Sequence, residues 1–379
     1  MNFALSEEQR ALQELVRQFL AENAPLSAVR ERMSCGEPFD AALWRRVAGE
    51  LGLTAMSIDE DYGGLGLGAV ERTVVMEEMG RALFTGPFLS TVCLAAPLWA
   101  AAGSASQKET VLSGIASGKL LSSVAWMEPG GDRSPAGVRL RARRDGAGWV
   151  LDGDKTRVLD GHLADWLIVA ARVGPSASSA DISLFAVPGD AKGLTRQRVP
   201  SVDQTRSFAD LSLRQVHLPG DALVGLQGEG WPVLQRAIDV AACALAAEQL
   251  GAAEACMDMS VAYAKVREQF GRPIGSFQAI KHRCADMLVQ VESARSAAYF
   301  AGWAAGSPSG DVASAAALAQ AYCSDALFFC AAECIQVHGG IGFTWEHDAH
   351  LFFKRAQSAK TLLGSPVEYR ERVAEELGL

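Results

Sequence analysis

The sequence predicts an α+β protein in which two helical regions flank a β-rich middle. Three observations predict it. Residues 1–118 place apolar side chains at helical spacing between capping and breaking signals. Residues 119–225 switch to short runs of Val, Ile, Leu and aromatics cut by Gly, Asp and Pro. Residues 226–379 are Ala-rich and helical again, with few interruptions. A chain of 379 residues is too long for one compact core and suits two or three domains. Three are expected: an N-terminal helical domain over 1–118, a middle β domain over 119–225, and a C-terminal helical bundle over 226–379.

In order along the chain, Ser6 with Gln9 makes a capping box, and Leu5 stands where a hydrophobic staple would. Leu12, Leu15, Phe19 and Leu20 then recur on one helical face. The glycine-rich break "DEDYGGLGLG" at 59–68 precedes the helix "AVERTVVMEEMGRAL". "SASQKETVLSGIASG" forms another helix that stops at glycine. "LLSSVAWME", "VRLRARRDGAGWVLDGDKTRVL", "DWLIVAARV", "DISLFAVPG" and "FADLSLRQVHLP" read as strands of a small barrel or sandwich. The charges of "RLRAR" alternate with apolar residues, as on a strand with one wet face. "VLQRAIDVAACALAAEQLGAAEACMDMSVAYAKVREQF" is a long helix of small residues, which needs burial against neighbours to be worth forming.

The net charge of −9 argues against a general nucleic-acid binder. The N-terminus lacks the basic and apolar regions of a signal peptide. No stretch reaches the ~18 uncharged apolar residues of a membrane span. Eight cysteines without a CxxC pair read as buried reduced thiols, which suits a cytoplasmic protein. Cys330 and Cys334 lie one turn apart without partners that complete a zinc spacing. Of the histidines at 162, 217, 282, 338, 347 and 350, only His347 and His350 approach a ligand spacing, and no metal is expected. "GGLGLG" lacks the strand–turn–helix context of a dinucleotide loop and reads as a turn.

Four ordered motifs carry a family resemblance. "YAKVREQFGRPIGSFQAIKHRCADM" is similar to the signature of the acyl-CoA dehydrogenase family, and "IQVHGGIGFTWEHDAHLFFKRA" at 335–356 resembles its second C-terminal signature. "EDYGGLGLG" resembles the family's N-terminal loop, and "MEPGG" at 127–131 its mid-domain turn. The resemblance covers residues 3–365. It implies the acyl-CoA dehydrogenase fold, with a four-helix C-terminal bundle and assembly as a homo- or hetero-dimer or tetramer with a second acyl-CoA dehydrogenase chain. It implies FAD as cofactor, an acyl-CoA substrate, and reoxidation by an electron-transfer flavoprotein. A glutamate would remove the α-proton of the thioester while a β-hydride passes to the flavin. Arg267, Gln269, Phe270 and Gln278, with Gln336, Gly339 and Gly340, match the segments that hold the diphosphate and adenine end of a neighbour's FAD. A guanidinium suits that task because it is always charged and can fork onto phosphate oxygens. The bland alternative is that Arg267 pairs with a carboxylate such as Glu268. Phe343 and Trp345 read as packing or acyl-channel walls.

The resemblance fails where a base and the flavin ring would sit. Gly364 stands at the place of the family's C-terminal catalytic glutamate, and Pro366 at the place of a flavin-contacting threonine. The alternative base position, 26 residues before Arg267, is Ala241, followed by Ala242. The flavin-side Thr-Glu-Pro reads Met127-Glu128-Pro129, and Trp-Ile-Thr reads Arg157-Val158-Leu159. The catalytic residue is therefore unassigned. Glu248, two turns beyond Ala241, is one candidate, with Glu368 and Glu371 as others. The expectation is a FAD-dependent acyl-CoA dehydrogenase subunit that acts in a hetero-oligomer on lipid or steroid side chains. The alternatives are a scaffold subunit that supplies only the AMP-side contacts, or a monooxygenase or nitroalkane oxidase on the same architecture.

Overall fold

A computed structural model describes residues 5–36, 39–175, 178–307 and 309–379. Helices α1 (Glu7–Asn23), α2 (Leu26–Cys35), α3 (Ala41–Gly49), α4 (Ala69–Arg81), α5 (Ala96–Ala102) and α6 (Ala105–Ala116) come first. Strands β1 (Ser122–Ala125), β2 (Arg141–Asp145), β3 (Gly148–Leu159), β4 (Trp166–Arg172), β5 (Ile182–Pro188), β6 (Leu194–Val199), β7 (Phe208–Leu218) and β8 (Leu223–Val224) follow. The chain then returns to helix in α7 (Gly230–Val266), α8 (Gln278–Gly306), α9 (Val312–His338), α10 (Ala349–Ala359) and α11 (Pro366–Glu376). A two-residue hairpin, β9 (Glu268–Gln269) and β10 (Arg272–Pro273), separates α7 from α8. A π-helical stretch, Leu89–Ala95, runs directly into α5 and is not marked by any local signal in the sequence.

Contacts divide the chain into two compact units. One comprises residues 1–37, 68–85 and 241–379; the other comprises 38–67 and 86–240.

The first unit is helical. Its N-terminus is fixed by the expected capping box: the Gln9 N–H donates to Ser6 Oγ at 3.2 Å, and the Ser6 N–H donates to Gln9 Oε1 at 3.0 Å. Helix α4 is buried on nearly all sides, from Arg72 to Gly80. It crosses α7 so closely that a Cβ at Gly80 would lie 1.9 Å from the Glu248 carbonyl oxygen, and one at Gly251 would lie 1.7 Å from that of Glu77. Any larger residue would force the two backbones apart. The buried charges of α4 are matched by cations. Arg17 forks onto Glu78 at 2.7 and 2.9 Å. Glu77 takes Arg295 and, at 2.5 Å, the Tyr299 hydroxyl. Burial raises the Glu77 carboxyl above the usual carboxylate range, although Arg295 opposes the shift.

The second unit holds the sheet, whose strands run β6-β7-β3-β2-β4-β5-β8 with β1 parallel to β4. Trp149 of β3 meets Phe185 of β5 edge-on at 5.0 Å, although β2 and β4 lie between those strands in the sheet. The sheet therefore curls around a core of alternating inward residues, including Leu151, Leu167, Val169, Val187, Leu211 and Leu213. Within it Lys155 is fully buried against Glu128 at 2.7 Å.

Helices α7 and α9 are long and apolar enough to cross a membrane by composition, but the apolar window of α7 is 83% buried inside the protein, as befits a core helix. All eight cysteines are free thiols; Cys35, at the end of α2, is exposed, contrary to the expectation of uniformly buried thiols.

Candidate cofactor site

The first signature segment begins where α7 ends. The Arg267 N–H still donates to the Tyr263 carbonyl at 2.8 Å, and its own carbonyl accepts from the Ile274 N–H at 2.7 Å. Between them β9 and β10 pair in the register Gln269–Arg272 and are joined by Phe270 and Gly271. Both joining residues have positive φ, 55° and 75°, as a type I′ hairpin turn requires. Asn or Gly normally fills the first of these positions. A phenylalanine there costs about 1–3 kcal/mol of backbone strain. Burial does not compensate, because Phe270 is 92% exposed. The turn is braced only at its edge, by Phe277 at 6.0 Å from Phe270 and by the Arg272 guanidinium 4.2 Å above the Phe277 ring. Local folding thus gives no reason for Phe270.

Arg267, Gln269 and Gln278 are exposed beside this turn. Gln269 Nε2 donates to the Glu268 carbonyl at 2.8 Å. Among the described residues no carboxylate pairs with the Arg267 side chain, so the alternative of a pairing with Glu268 is not made.

The second signature segment starts at the end of α9. Gln336 is exposed. Gly339 closes the helix at φ 64°, ψ −141°. A 3₁₀ turn, Gly339–Phe343, then leads into a tight turn at 344–348. The three glycines here have different reasons. Gly342 serves the chain, since a Cβ would lie 2.8 Å from His338 Cβ. Gly339 serves the left-handed backbone. A Cβ at Gly340 would meet nothing within 4 Å and Gly340 has no positive φ, so this chain alone could carry a side chain there.

The two segments meet through a ring stack. Tyr263 lies 4.4 Å from His338, and His338 lies 4.3 Å from His347. His338 Nδ1 lies 2.7 Å from the Cys334 carbonyl and 3.7 Å from Cys334 Sγ. Burial alone would lower the His338 pKa, but the hydrogen bonds with Cys334 outweigh it and raise it. His347 is lowered, by burial first and then by His338. The stack holds the last turn of α7, one turn before Arg267, against the end of α9, directly before Gly339. The result is a cationic and glycine-rich ledge open to the outside. It is able to receive a phosphate-bearing nucleotide: Arg267 can fork onto phosphate, and Gly340 leaves room for close approach to the backbone. Phe343 and Trp345, read from the sequence as packing or acyl-channel walls, are 81% and 57% exposed, and Trp345 packs on His350.

Each candidate base is otherwise engaged or exposed. Glu248 is buried in an ion pair with Arg355, itself buried. Glu368 closes the capping box of α11, its Oε2 accepting from the Ser365 N–H at 2.6 Å. Glu371 is exposed on α11. Gly364 has φ 150°, and a Cβ there would lie 2.7 Å from Tyr369 Cε2. Ala241 and Ala242 are fully buried, and the Ala242 carbonyl accepts from Gln320 Nε2 at 2.9 Å. In the sheet unit, Arg157 occupies the place of an aromatic flavin wall. It has φ 51°, and its N–H donates to Asp210 Oδ1 at 3.0 Å. Its exposed guanidinium has no partner among the described residues and reaches to 4.0 Å from a Cβ at Gly131. Arg157 thus puts a charged, exposed side chain where the family pattern has an aromatic one, so this stretch departs from that pattern while the signature segments keep theirs. His347 and His350 take part in local packing: His347 Nδ1 accepts from the Ala349 N–H at 3.1 Å, and His350 stacks on Trp345 at 5.0 Å. No group of three His, Cys, Asp or Glu side chains is placed to hold a metal among the described residues.

A helical–sheet–helical chain with such a ledge falls in the class of FAD-dependent oxidoreductases that act on CH–CH bonds. Family models for the N-terminal, middle and C-terminal domains of acyl-CoA dehydrogenases match residues 6–119, 123–216 and 228–378. The chain belongs to the acyl-CoA dehydrogenase family. It is 37% identical over 376 residues to acyl-CoA dehydrogenase IpdE2 of Mycobacterium tuberculosis, covering 98% of both chains. Its structure is similar to butyryl-CoA dehydrogenase of Megasphaera elsdenii, with a TM-score of 0.94, 26% identity and 100% of both chains covered. It is also similar to a chain of the ChsE4–ChsE5 complex of Mycobacterium tuberculosis, with a TM-score of 0.90, 27% identity and 100% and 99% of the two chains covered.

Proposed function

We propose that this chain is the base-lacking subunit of a hetero-oligomeric acyl-CoA dehydrogenase. It supplies Arg267, Gln269, Phe270, Gln278, Gln336, Gly339 and Gly340 to the adenosine-diphosphate end of a FAD whose ring lies in a second, catalytic chain of the same family. One contrast carries the reading: the outward ledge is complete, while Gly364 and Ala241, where a base would stand, hold no carboxylate. The strained and solvated Phe270 supports it, since its cost is explained by a ligand or partner outside this chain. The ChsE4–ChsE5 complex is a structural neighbour that pairs two different chains.

When bound, FAD supplies the hydride acceptor. This chain's residues neutralise its phosphates and hold its adenine end, which orients the ring without touching it. The proton at the thioester α-carbon falls to a carboxylate of the partner. The substrate class is an acyl-CoA thioester from lipid or steroid side chains, the electron acceptor is an electron-transfer flavoprotein, and the compartment is the cytoplasm.

The test is purification of the chain alone and after co-expression with a base-bearing acyl-CoA dehydrogenase chain encoded beside it. The co-purified assembly carries FAD and oxidises acyl-CoA, and Arg267→Ala in this chain lowers its flavin content. Stoichiometric FAD and robust turnover from the lone chain would overturn the proposal.

A further inference from the structure

The ledge ends in a turn whose ring contacts are local: Trp345 stacks on His350 and His347 lies against His338. Residues 344–348 lie between the 3₁₀ turn that carries Gly339 and Gly340 and the start of α10 at Ala349. Trp345 is mostly in solvent, so side-chain burial does not fix this segment. One side chain from the far end of the sequence does. Arg30, on α2, donates to the Trp345 carbonyl at 2.6 Å and the His347 carbonyl at 2.6 Å, and its Nε donates to Asp348 Oδ1 at 2.5 Å. Its Nη2 also lies 3.4 Å from His350 Nε2. The guanidinium therefore spans the whole turn and satisfies two of its backbone carbonyls, and it is only 22% exposed. On the other side of the turn, the His347 ring rests against His338, the last residue before the glycines.

The structure assigns to Arg30 the role of positioning residue for nucleotide binding: by clamping residues 345–348 it sets where the Gly339–Gly340 backbone stands to receive the FAD phosphates. This rests on the proposed reading of the ledge. The fork geometry of arginine is essential, because three acceptors in different directions are met by one rigid planar group. A lysine ammonium reaches one or two of them. No residue of α2 belongs to either signature segment, and Arg30 itself touches only the support of the ledge.

A merely cohesive role must be separated from a positioning one. Arg17 is the matched control. It also forks onto a carboxylate from an N-terminal helix, on Glu78, and is 41% exposed, but its partners lie on α4 and not in the signature segments. The experiment uses the FAD-loaded assembly obtained by co-expression. Released FAD is followed by its fluorescence after dilution, and thermal midpoints are measured in parallel for Arg30→Ala, Arg30→Lys, Arg17→Ala and Arg267→Ala.

Arg30→Ala is expected to release FAD about tenfold faster, equivalent to ~1.4 kcal/mol. Its midpoint should fall no further than that of Arg17→Ala, which should release FAD at the wild-type rate. Arg30→Lys is expected to recover part of the retention, and it carries the test if the alanine variant does not fold. Wild-type release from both Arg30 variants while Arg267→Ala releases FAD quickly would overturn the role of Arg30 and leave the ledge standing. Wild-type release from Arg267→Ala as well would overturn the ledge reading, and with it the inference. Equal acceleration in Arg17→Ala and Arg30→Ala would show general loosening and also overturn the role.

Discussion

Placing a glutamate at position 364 should damage this protein rather than give it a base. Gly364 has φ 150°, in a region that residues with a Cβ rarely enter. A Cβ there would lie 2.7 Å from Cε2, 3.0 Å from Cζ and 3.2 Å from the hydroxyl of Tyr369. That ring has nowhere to retreat, because it is 3% exposed and its hydroxyl donates to the Leu363 carbonyl at 3.1 Å. Backbone strain costs ~1–3 kcal/mol, and forcing atoms into a packed site costs ~1–3 kcal/mol more. Gly364→Glu is therefore expected to lose ~2–6 kcal/mol, a large part of the ~5–15 kcal/mol by which folded proteins are stable. Urea unfolding followed by circular dichroism reads the loss. Gly364→Ala should show most of it, since both variants carry the offending Cβ. Acyl-CoA oxidation by the lone chain with added FAD should stay at background. A Gly364→Glu protein with the wild-type urea midpoint, or one that dehydrogenates acyl-CoA alone, would refute the reasoning.

Glu248→Gln removes the carboxylate that pairs with the buried Arg355 and should cost ~3–5 kcal/mol in urea unfolding; a neutral result would mean that the pair adds nothing to stability. Gly340→Ala should leave the thermal midpoint of the lone chain unchanged, since a Cβ meets nothing within 4 Å, yet speed FAD loss from the assembly. Burial pushes the Lys155 ammonium down from 10.5 to about 8 even though Glu128 opposes the shift. A lysine depressed in the folded state costs stability in full below pH 8, and the cost is relieved as pH rises from about 8 towards 10.5. Wild-type protein should therefore gain stability across that window relative to the double variant Lys155→Met/Glu128→Gln, as read by urea midpoints at successive pH values.

Much of the fold was legible because its signals are local. Ser6 and Gln9 announced α1, and the unbroken run of small residues announced α7. Motif order alone picked out the two segments that carry Arg267, Phe270, Gly339 and Gly340, and their service to a nucleotide remains the proposal to be tested. What the sequence hid depends on distant pairs. The clamp of Arg30 on residues 345–348 spans more than 300 positions, and the Glu248–Arg355 pair spans 107. The absence of a glutamate at 364 could be read directly, but not that Tyr369 closes the space. Phe343 and Trp345 face outwards, an exposure that residue type alone does not signal. The left-handed turn at Phe270 was invisible because phenylalanine is not a turn former.

Phe270 and Phe343 stand almost wholly in water. A newly made protomer that displays such surfaces is adhesive until they are covered. Its survival in the cell should then track the supply of whatever covers them. Overproduced by itself it should give a lower soluble yield than balanced synthesis with its cognate chain.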